Sequence, residues 1–314
     1  MFTLIVRRLF SLIPVLLGIS IITFLLLQLI PGDPVMAYLR AAGIPAADET
    51  VTALRTELGL DKSLLAQYSS WLLQVIQLDF GTSFSTKEPV FDEIINHMIP
   101  TIQLTAMAML WVLLIALPLG ILSAVYKGKW IDRFSRIFAF ASVSMPAFWL
   151  GFLLIYFLAV KLDLFPVFGQ GSFLHVILPS FTLAFGYVGT YMRLLRASML
   201  ENLNEPFVLY ARARGLKERV IVLRHVVKIS ILPVLTGLGM SLGYMLAGAV
   251  IVETVFAWPG MGHLFVDGIA THDYPLIQGC VLVMGVIFVT CNLLVDSMYS
   301  FIDPRIRQQG GRMI

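Results

Sequence analysis

Charge is what this chain has least of. Asp, Glu, Lys and Arg make up 13% of its 314 residues, where soluble domains carry about 25%. With 58% hydrophobic residues, that scarcity excludes a soluble globular domain and leaves a polytopic membrane protein. Cysteine is nearly absent: Cys280 and Cys291 are the only two. Both fall in one apolar run, which excludes a disulfide framework and makes them small core residues. The motifs of nucleotide and hydrolytic chemistry are missing as well. There is no G-x4-G-K-[ST] phosphate loop, no His-Glu-x-x-His pair and no G-x-S-x-G elbow. No catalytic residue is assigned and no cofactor is expected. Any ATP chemistry must come from another chain, so this polypeptide is not itself an enzyme. His97, His175, His263 and His272 are scattered, with no His-x3-His pair, so no metal ligand set is assigned.

What is present is long apolar runs. Leu9–Ile30 is almost wholly apolar and long enough to cross roughly 30 Å of hydrocarbon. It leads into Pro31-Gly32-Asp33-Pro34 rather than a small-residue cleavage site, which makes it an uncleaved first span. Further spans are expected at about 101–126, 134–160, 176–195, 231–255 and 276–300. Between the first two lies the one large polar region, 31–98. There Glu49–Leu60, ended by Gly59, and Leu64–Leu78, carrying Trp71, are expected helices, and Leu78–Phe84 an expected turn.

Charge distribution sets the orientation. With the N-terminus inside, 17 of the 22 basic residues face inward and 5 outward, as the bias of cytoplasmic loops toward Lys and Arg requires. The expected fold is therefore all-α, with six transmembrane helices, both termini in the cytoplasm, and an extracytoplasmic loop subdomain after the first helix. Its parts are a cytoplasmic stub and first helix at 1–30, the outer subdomain at 31–98, a five-helix core at 99–300, and a cytoplasmic tail at 301–314. Lipid is a necessary partner, and nothing points to nucleic acid.

The segment 193–228 interrupts the apolar pattern and holds eight of the 22 basic residues. Asn204 as a cap and Pro206 in the first turn predict a helix start. Phe207, Tyr210 and Ala211 would give that helix an aromatic face, and Gly215 would end it in the left-handed conformation. Beyond Gly215, Leu216, Val220, Leu223 and Val227 recur at helical spacing, with Lys217, Arg224 and Lys228 on another face. Helix, glycine elbow and amphipathic helix together suit a surface that presses on a partner.

The run Tyr210-Ala211-Arg212-Ala213-Arg214-Gly215, followed by Pro233, resembles the cytoplasmic "EAA" loop of ABC-importer permeases in the dipeptide, oligopeptide and nickel branch. Tyr210 or Arg212 stands where that motif has its acid. The stretch Glu253-Thr-Val-Phe-Ala-Trp-Pro-Gly-Met-Gly262, with Asp273-Tyr-Pro-Leu-Ile-Gln278, is similar to the E-x-x-F-x-W-P-G-x-G … D-Y-P-x-I-Q stretch of the same branch. Pro31–Pro34, Leu78–Gly81 and Asp303–Arg305 match in kind and order, so the resemblance runs from end to end. It implies that Phe207, Tyr210, Ala211, Arg212, Ala213, Arg214 and Gly215 form a coupling surface for a separate ATPase. It also implies an assembly in the bacterial inner membrane with a paralogous permease, two ATP-binding subunits and an extracytoplasmic substrate-binding protein. The substrate expected first is nickel or a metal chelate, from Ala37–Arg40, Glu201–Glu205 and Cys291–Asp296; di- or oligopeptides or glutathione are the alternative. A secondary transporter or channel, with charge at mid-membrane depth, is the reading from another class.

Two acids fall within or at the edge of spans, where carboxylates are costly and are functional candidates by default. Glu253 opens the loop that holds Trp258, His263, His272 and Asp273; Glu253, Trp258 and Asp273 are the outer-loop or translocation candidates. Asp296 is expected to be structural. Gly239 and Gly243 form a small-xxx-small pattern that would let another helix approach closely.

Overall fold

The computed structural model describes residues 2–29 and 33–302, without the side chains of 2–11, 247, 248 and 296–302. Pro31, Gly32, Asp303–Arg305, Arg307, Arg312 and the side chain of Asp296 lie outside the described residues. Among these the fold is helical, with one isolated bridge between Thr82 and Pro89. In chain order the helices are α1 (Phe2–Leu29), α2 (Pro34–Ala42), α3 (Asp48–Glu57), α4 (Leu64–Ile76) and α5 (Val90–Val125). They continue with α6 (Trp130–Ser144), α7 (Ala147–Leu154, running on as π-helix over Ile155–Lys161), α8 (Phe173–Asn202) and α9 (Pro206–Ala213). The last are α10 (Glu218–Val220, followed by π-helix at Ile221–Val226), α11 (Val227–Ser230), α12 (Leu232–Val255), α13 (Met261–Thr271) and α14 (Tyr274–Ile302).

Among the described residues four helices are long and apolar enough to cross a membrane: the stretches are Leu12–Leu29, Val90–Val125, Phe173–Asn202 and Tyr274–Val295. The count reaches six if each of two bent pairs is one span. One bent pair corrects the expected third span. Trp130–Ser144 and Ala147–Lys161 meet at 106°, because Pro146 offers no N–H and pushes Met145 out of the helical region, to φ −87° and ψ 120°. The other joins Glu218–Ser230 to Leu232–Leu246 at 43°.

The chain divides into two compact units. One combines residues 1–101 with 259–290. In it, α3 ends before Gly59 (φ +66°), and the turn expected at Leu78–Phe84 forms with Leu78 and Gly81 both at positive φ. Helix α2 was not anticipated. Its signals are the Asp33 side chain capping Val35 N–H, Pro34 in the first turn and Gly43 in the left-handed conformation. The Arg55 guanidinium donates to the Asp33 carboxylate and ties α3 to that cap. Val90, Ile94, Met261, Leu264, Leu276 and Cys280 make a core. Gly279 lets them close: a Cβ there would lie 2.8 Å from Val90 Cγ1 and 2.9 Å from Ile94 Cδ1.

The second unit combines 102–258 with 291–314. Its core runs through α5, α6, α8, α9 and α12. Helices α6 and α8 approach so closely that a Cβ on Gly189 would fall 1.8 Å from Ser142 Oγ and 2.8 Å from the Ala139 carbonyl oxygen. The close approach expected at Gly239 is seen within this chain, its partner being Val295 of α14 at 2.7 Å from the built Cβ. Trp111 Nε1 donates to Ser180 Oγ at 3.1 Å and joins α5 to α8.

Candidate functional site

The basic segment opens as helix rather than loop, because α8 continues to Asn202. Asn204 is not the cap expected of it. Its amide donates to Leu200 O at 2.9 Å and so belongs to the end of α8. Helix α9 starts instead from extended Glu205 (φ −74°, ψ 150°), with Pro206 supplying the first-turn geometry and no side-chain cap. It ends as expected at Gly215, whose φ is +76°. Gly215 N–H donates to Arg212 O at 2.9 Å and Leu216 N–H to Ala211 O at 3.2 Å. This is the Schellman pair that satisfies the last carbonyls. Across the elbow Arg212 Nε donates to Glu218 Oε1 at 2.6 Å; both side chains are exposed, so the pair orients more than it stabilises.

The faces of this helix differ from the sequence expectation. Val208 and Ala211 are buried and Phe207 is half-buried, while Leu209 and Tyr210 are 68% and 71% exposed. At about 100° per residue, Phe207, Val208 and Ala211 share the inward side and Tyr210 turns away from it. The outward surface is therefore Leu209 and Tyr210 flanked by exposed Arg212, Ala213 and Arg214, with Gly215 at its edge.

The amphipathic helix expected after Gly215 also changes register. Leu223 and Leu216 are exposed, and the buried positions are Ile221, Val222, Val226 and Ser230. The cause is the π-helix at Ile221–Val226, where Val227 N–H reaches back five residues to Val222 O. A stripe counted at α-helical spacing misses that extra residue per turn. Arg224 and Lys228 remain exposed as expected. The segment closes where Asn202 Nδ2 donates to Ser198 O at 2.8 Å and to Ser230 Oγ at 3.2 Å, joining α8 to α11.

A charged cluster that the sequence pattern does not single out joins α5, α6 and α8. Asp132, 1% exposed in the first turn of α6, accepts from Ser123 Oγ at 2.7 Å and Gly128 N–H at 2.9 Å. Arg196 of α8 donates to both carboxylate oxygens, at 2.7 and 3.0 Å. One carboxylate thus holds together the end of α5, the turn after it, α6 and α8. A lone acid among Lys127, Lys129, Arg133 and Arg136 was the available signal.

The outer candidates are divided between the two compact units. Glu253 is wholly buried in the last turn of α12, and its carbonyl accepts from Trp258 N–H at 2.8 Å. Trp258, 2% exposed, helps wall a cavity of about 640 Å³ with Gln103, Met107, Gln170 and Phe173. Gln170 Nε2 donates to Gln103 Oε1 there, at 3.4 Å. Asp273 belongs to the other compact unit. It accepts from Ser83 Oγ at 2.6 Å, Ser85 N–H at 3.1 Å and Leu276 N–H at 3.3 Å, which is the work of a cap and turn anchor. Histidines are engaged locally: His97 Nδ1 lies 2.7 Å from Glu93 O, and His175 Nδ1 accepts from Ser172 N–H at 3.0 Å. Among the described residues no three His, Cys, Asp or Glu side chains converge on a metal position.

Residues 116–308 match the family model described as binding-protein-dependent transport system inner membrane component. Residues 1–105 match the N-terminal model of the same systems. The chain is 40% identical over 302 residues to the glutathione transport system permease protein GsiC of Pectobacterium atrosepticum, covering 96% of this chain and 98% of that one. Against the GsiC proteins of Salmonella typhimurium and Escherichia coli the identity is 40% and 39%, with the same coverage. Among solved structures, an inward-facing form of the MetNI methionine ABC transporter is similar in fold. The TM-score is 0.55 at 18% identity, over 67% of this chain and 96% of that one.

Proposed function

The chain belongs to the family of binding-protein-dependent transport inner membrane components, and from that premise we propose that it is the importer subunit that carries glutathione or a similar short peptide. Such an importer works with ATP-binding subunits and a substrate-binding protein. The observation that carries the substrate is the similarity, over nearly the whole chain, to permeases named for glutathione transport. It favours the peptide alternative over nickel or a metal chelate.

In this reading the chain sits in the bacterial inner membrane with six spans, the two bent helix pairs each counting as one, and with both termini inside. A second permease chain completes the path. Hydrolysis of ATP takes place in the separate subunits, which meet the outward face of α9: Leu209, Tyr210, Arg212, Ala213, Arg214 and the Gly215 elbow. Closure of those subunits pushes α9 toward the core that holds Val208 and Ala211. The π-helical segment and α11, tied to α8 through Asn202 and Ser230, pass that push to the spans. ATP binding then biases a two-state equilibrium between inward- and outward-open forms. Gln103, Gln170 and Trp258 offer neutral hydrogen-bonding groups and an indole to a peptide in the path.

The deciding experiment is uptake in cells that lack only this chain, with labelled glutathione, a labelled dipeptide and labelled nickel in parallel. Loss of glutathione or dipeptide uptake, restored by the gene, is expected. Intact peptide uptake with loss of nickel uptake would overturn the substrate assignment and leave the permease standing.

A further inference from the structure

The region between the first two spans, 31–98, is polar when taken as a whole. Between Lys62 and Asp79, however, no residue is charged. Helix α4 occupies the middle of that stretch, capped by Ser63, whose hydroxyl accepts from Ala66 N–H. It packs against α1. Tyr68 Oη lies 2.8 Å from Ser20 Oγ, and the Phe24 ring meets the rings of Tyr68 and Trp71 at centroid distances of 5.5 and 6.2 Å.

Those contacts fix a depth. The apolar stretch of α1 is Leu12–Leu29, so Ser20 is near its middle, roughly 13 Å before Leu29 at the rise of an α-helix. Phe24 lies in its second half. A helix whose Tyr68 reaches Ser20 and whose Trp71 touches Phe24 runs beside the span itself, not above it.

The rest of α4 fits that position. Its polar residues Gln67, Ser70 and Gln74 line a crevice of about 420 Å³ shared with Gln28 and Gln278. The side turned away from α1 is apolar: Leu65, Leu73 and Ile76 are 82%, 60% and 70% exposed, at spacings that place them on one stripe with Ser69. In water that stripe would be an aggregation hazard. Helix α1 likewise leaves Ile22, Leu25, Leu26 and Leu29 exposed, on the side of that helix opposite the one that meets α4.

We propose that α4 is embedded beside α1 in the half of the bilayer that holds the C-terminal end of that span, with the Leu65–Leu73–Ile76 stripe covered by phospholipid acyl chains. A helix without charge avoids the cost of placing charge in hydrocarbon, and Tyr68 and Trp71 are of the residue types enriched toward the lipid–water interface.

The test needs no variant. The full transporter, with all its subunits, is reconstituted into phosphatidylethanolamine and phosphatidylglycerol vesicles doped with a phospholipid that bears a diazirine on its acyl chain. It is then irradiated and mapped by mass spectrometry. Adducts are expected on Leu64–Ile76 as well as on Leu25–Leu29. Adducts on Leu25–Leu29 with none on Leu64–Ile76 would overturn the proposal and leave the stripe covered by protein or water. A diazirine on the lipid headgroup gives the second arm: labelling of α4 by the headgroup probe alone would place it on the membrane surface and likewise overturn the embedded position.

Discussion

Arg196 grips Asp132 through a two-pronged hydrogen bond, Nε to Oδ1 at 2.7 Å and Nη2 to Oδ2 at 3.0 Å, across 64 positions of sequence. With Ser123 and Gly128 completing the shell, the carboxylate is buried yet satisfied. Removing Asp132 leaves Arg196 without its carboxylate, and removing Arg196 leaves the buried carboxylate only the longer contact to Arg136, 3.8 Å from Oδ1, so breaking the pair costs up to about 3–5 kcal/mol. Asp132→Ala and Arg196→Ala should each lower the thermal stability of the purified transporter. The double variant should lose less than the two singles combined, a coupling that a double-mutant cycle measures. Additive losses would mean the pair does not act as a unit.

At Gly215 the constraint is torsional rather than steric. The backbone is at φ +76° with nothing within 4 Å of a built Cβ. A β-branched residue there bears the left-handed penalty of about 1–2 kcal/mol. Gly215→Val should distort the α9 elbow, so that reconstituted vesicles hydrolyse ATP with reduced uptake per ATP. Gly215→Asn, which tolerates this conformation, should retain most coupling. Equal coupling ratios in wild type and Gly215→Val would count against the elbow's role.

Gly189 presents the opposite case, with an ordinary helical backbone and no room. Gly189→Ala must push α8 off Ala139 and Ser142 of α6, and overpacking of this kind costs about 1–3 kcal/mol. Gly18→Ala in α1, where nothing lies within 4 Å, should be neutral or stabilising by up to about 1 kcal/mol. Melting curves in detergent compare the two; a Gly189→Ala protein as stable as Gly18→Ala would mean that the helices can separate freely.

Asp273 anchors Ser83 and Ser85 while capping the first turn of α14. Loss of a cap costs about 1 kcal/mol, and here a turn is released as well. Asp273→Ala should expose the segment 81–89 to limited proteolysis, and Asp273→Asn, which can still cap, should restore part of the protection. Unchanged cleavage in Asp273→Ala would show that the turn holds itself.

Long apolar runs and the placement of Lys and Arg are local properties, and the helical spans follow from them directly. So does the end of α9, because Gly215 carries its own conformational signal. What stayed hidden depends on other things. The break at Met145–Pro146 rests on one proline inside a run that hydropathy scores as continuous. The buried faces of α9 and of the segment after it depend on which side meets the core. Phe207 and Ala211, expected to share an outward face with Tyr210, therefore turned inward while Tyr210 stands outward. Asp132 and Arg196 are related only through the packing of α6 on α8, and no spacing rule reaches that far. Glu253, Trp258 and Asp273 lie close in sequence, yet Asp273 serves a turn formed by residues near position 83.

The π-helical turn at Ile221–Val226 can also be described by chain length. An α-helix given one additional residue, with both ends held fixed, widens locally instead of rotating everything that follows. The segment between the Gly215 elbow and α11 therefore carries a surplus of one residue, absorbed where Val227 bonds to Val222. A chain shortened by one in that stretch would reach Val227 in regular α-helix with Ser230 still facing Asn202, whereas one lengthened by one would have nowhere to store the excess. Length variation in this connector should be tolerated in one direction only.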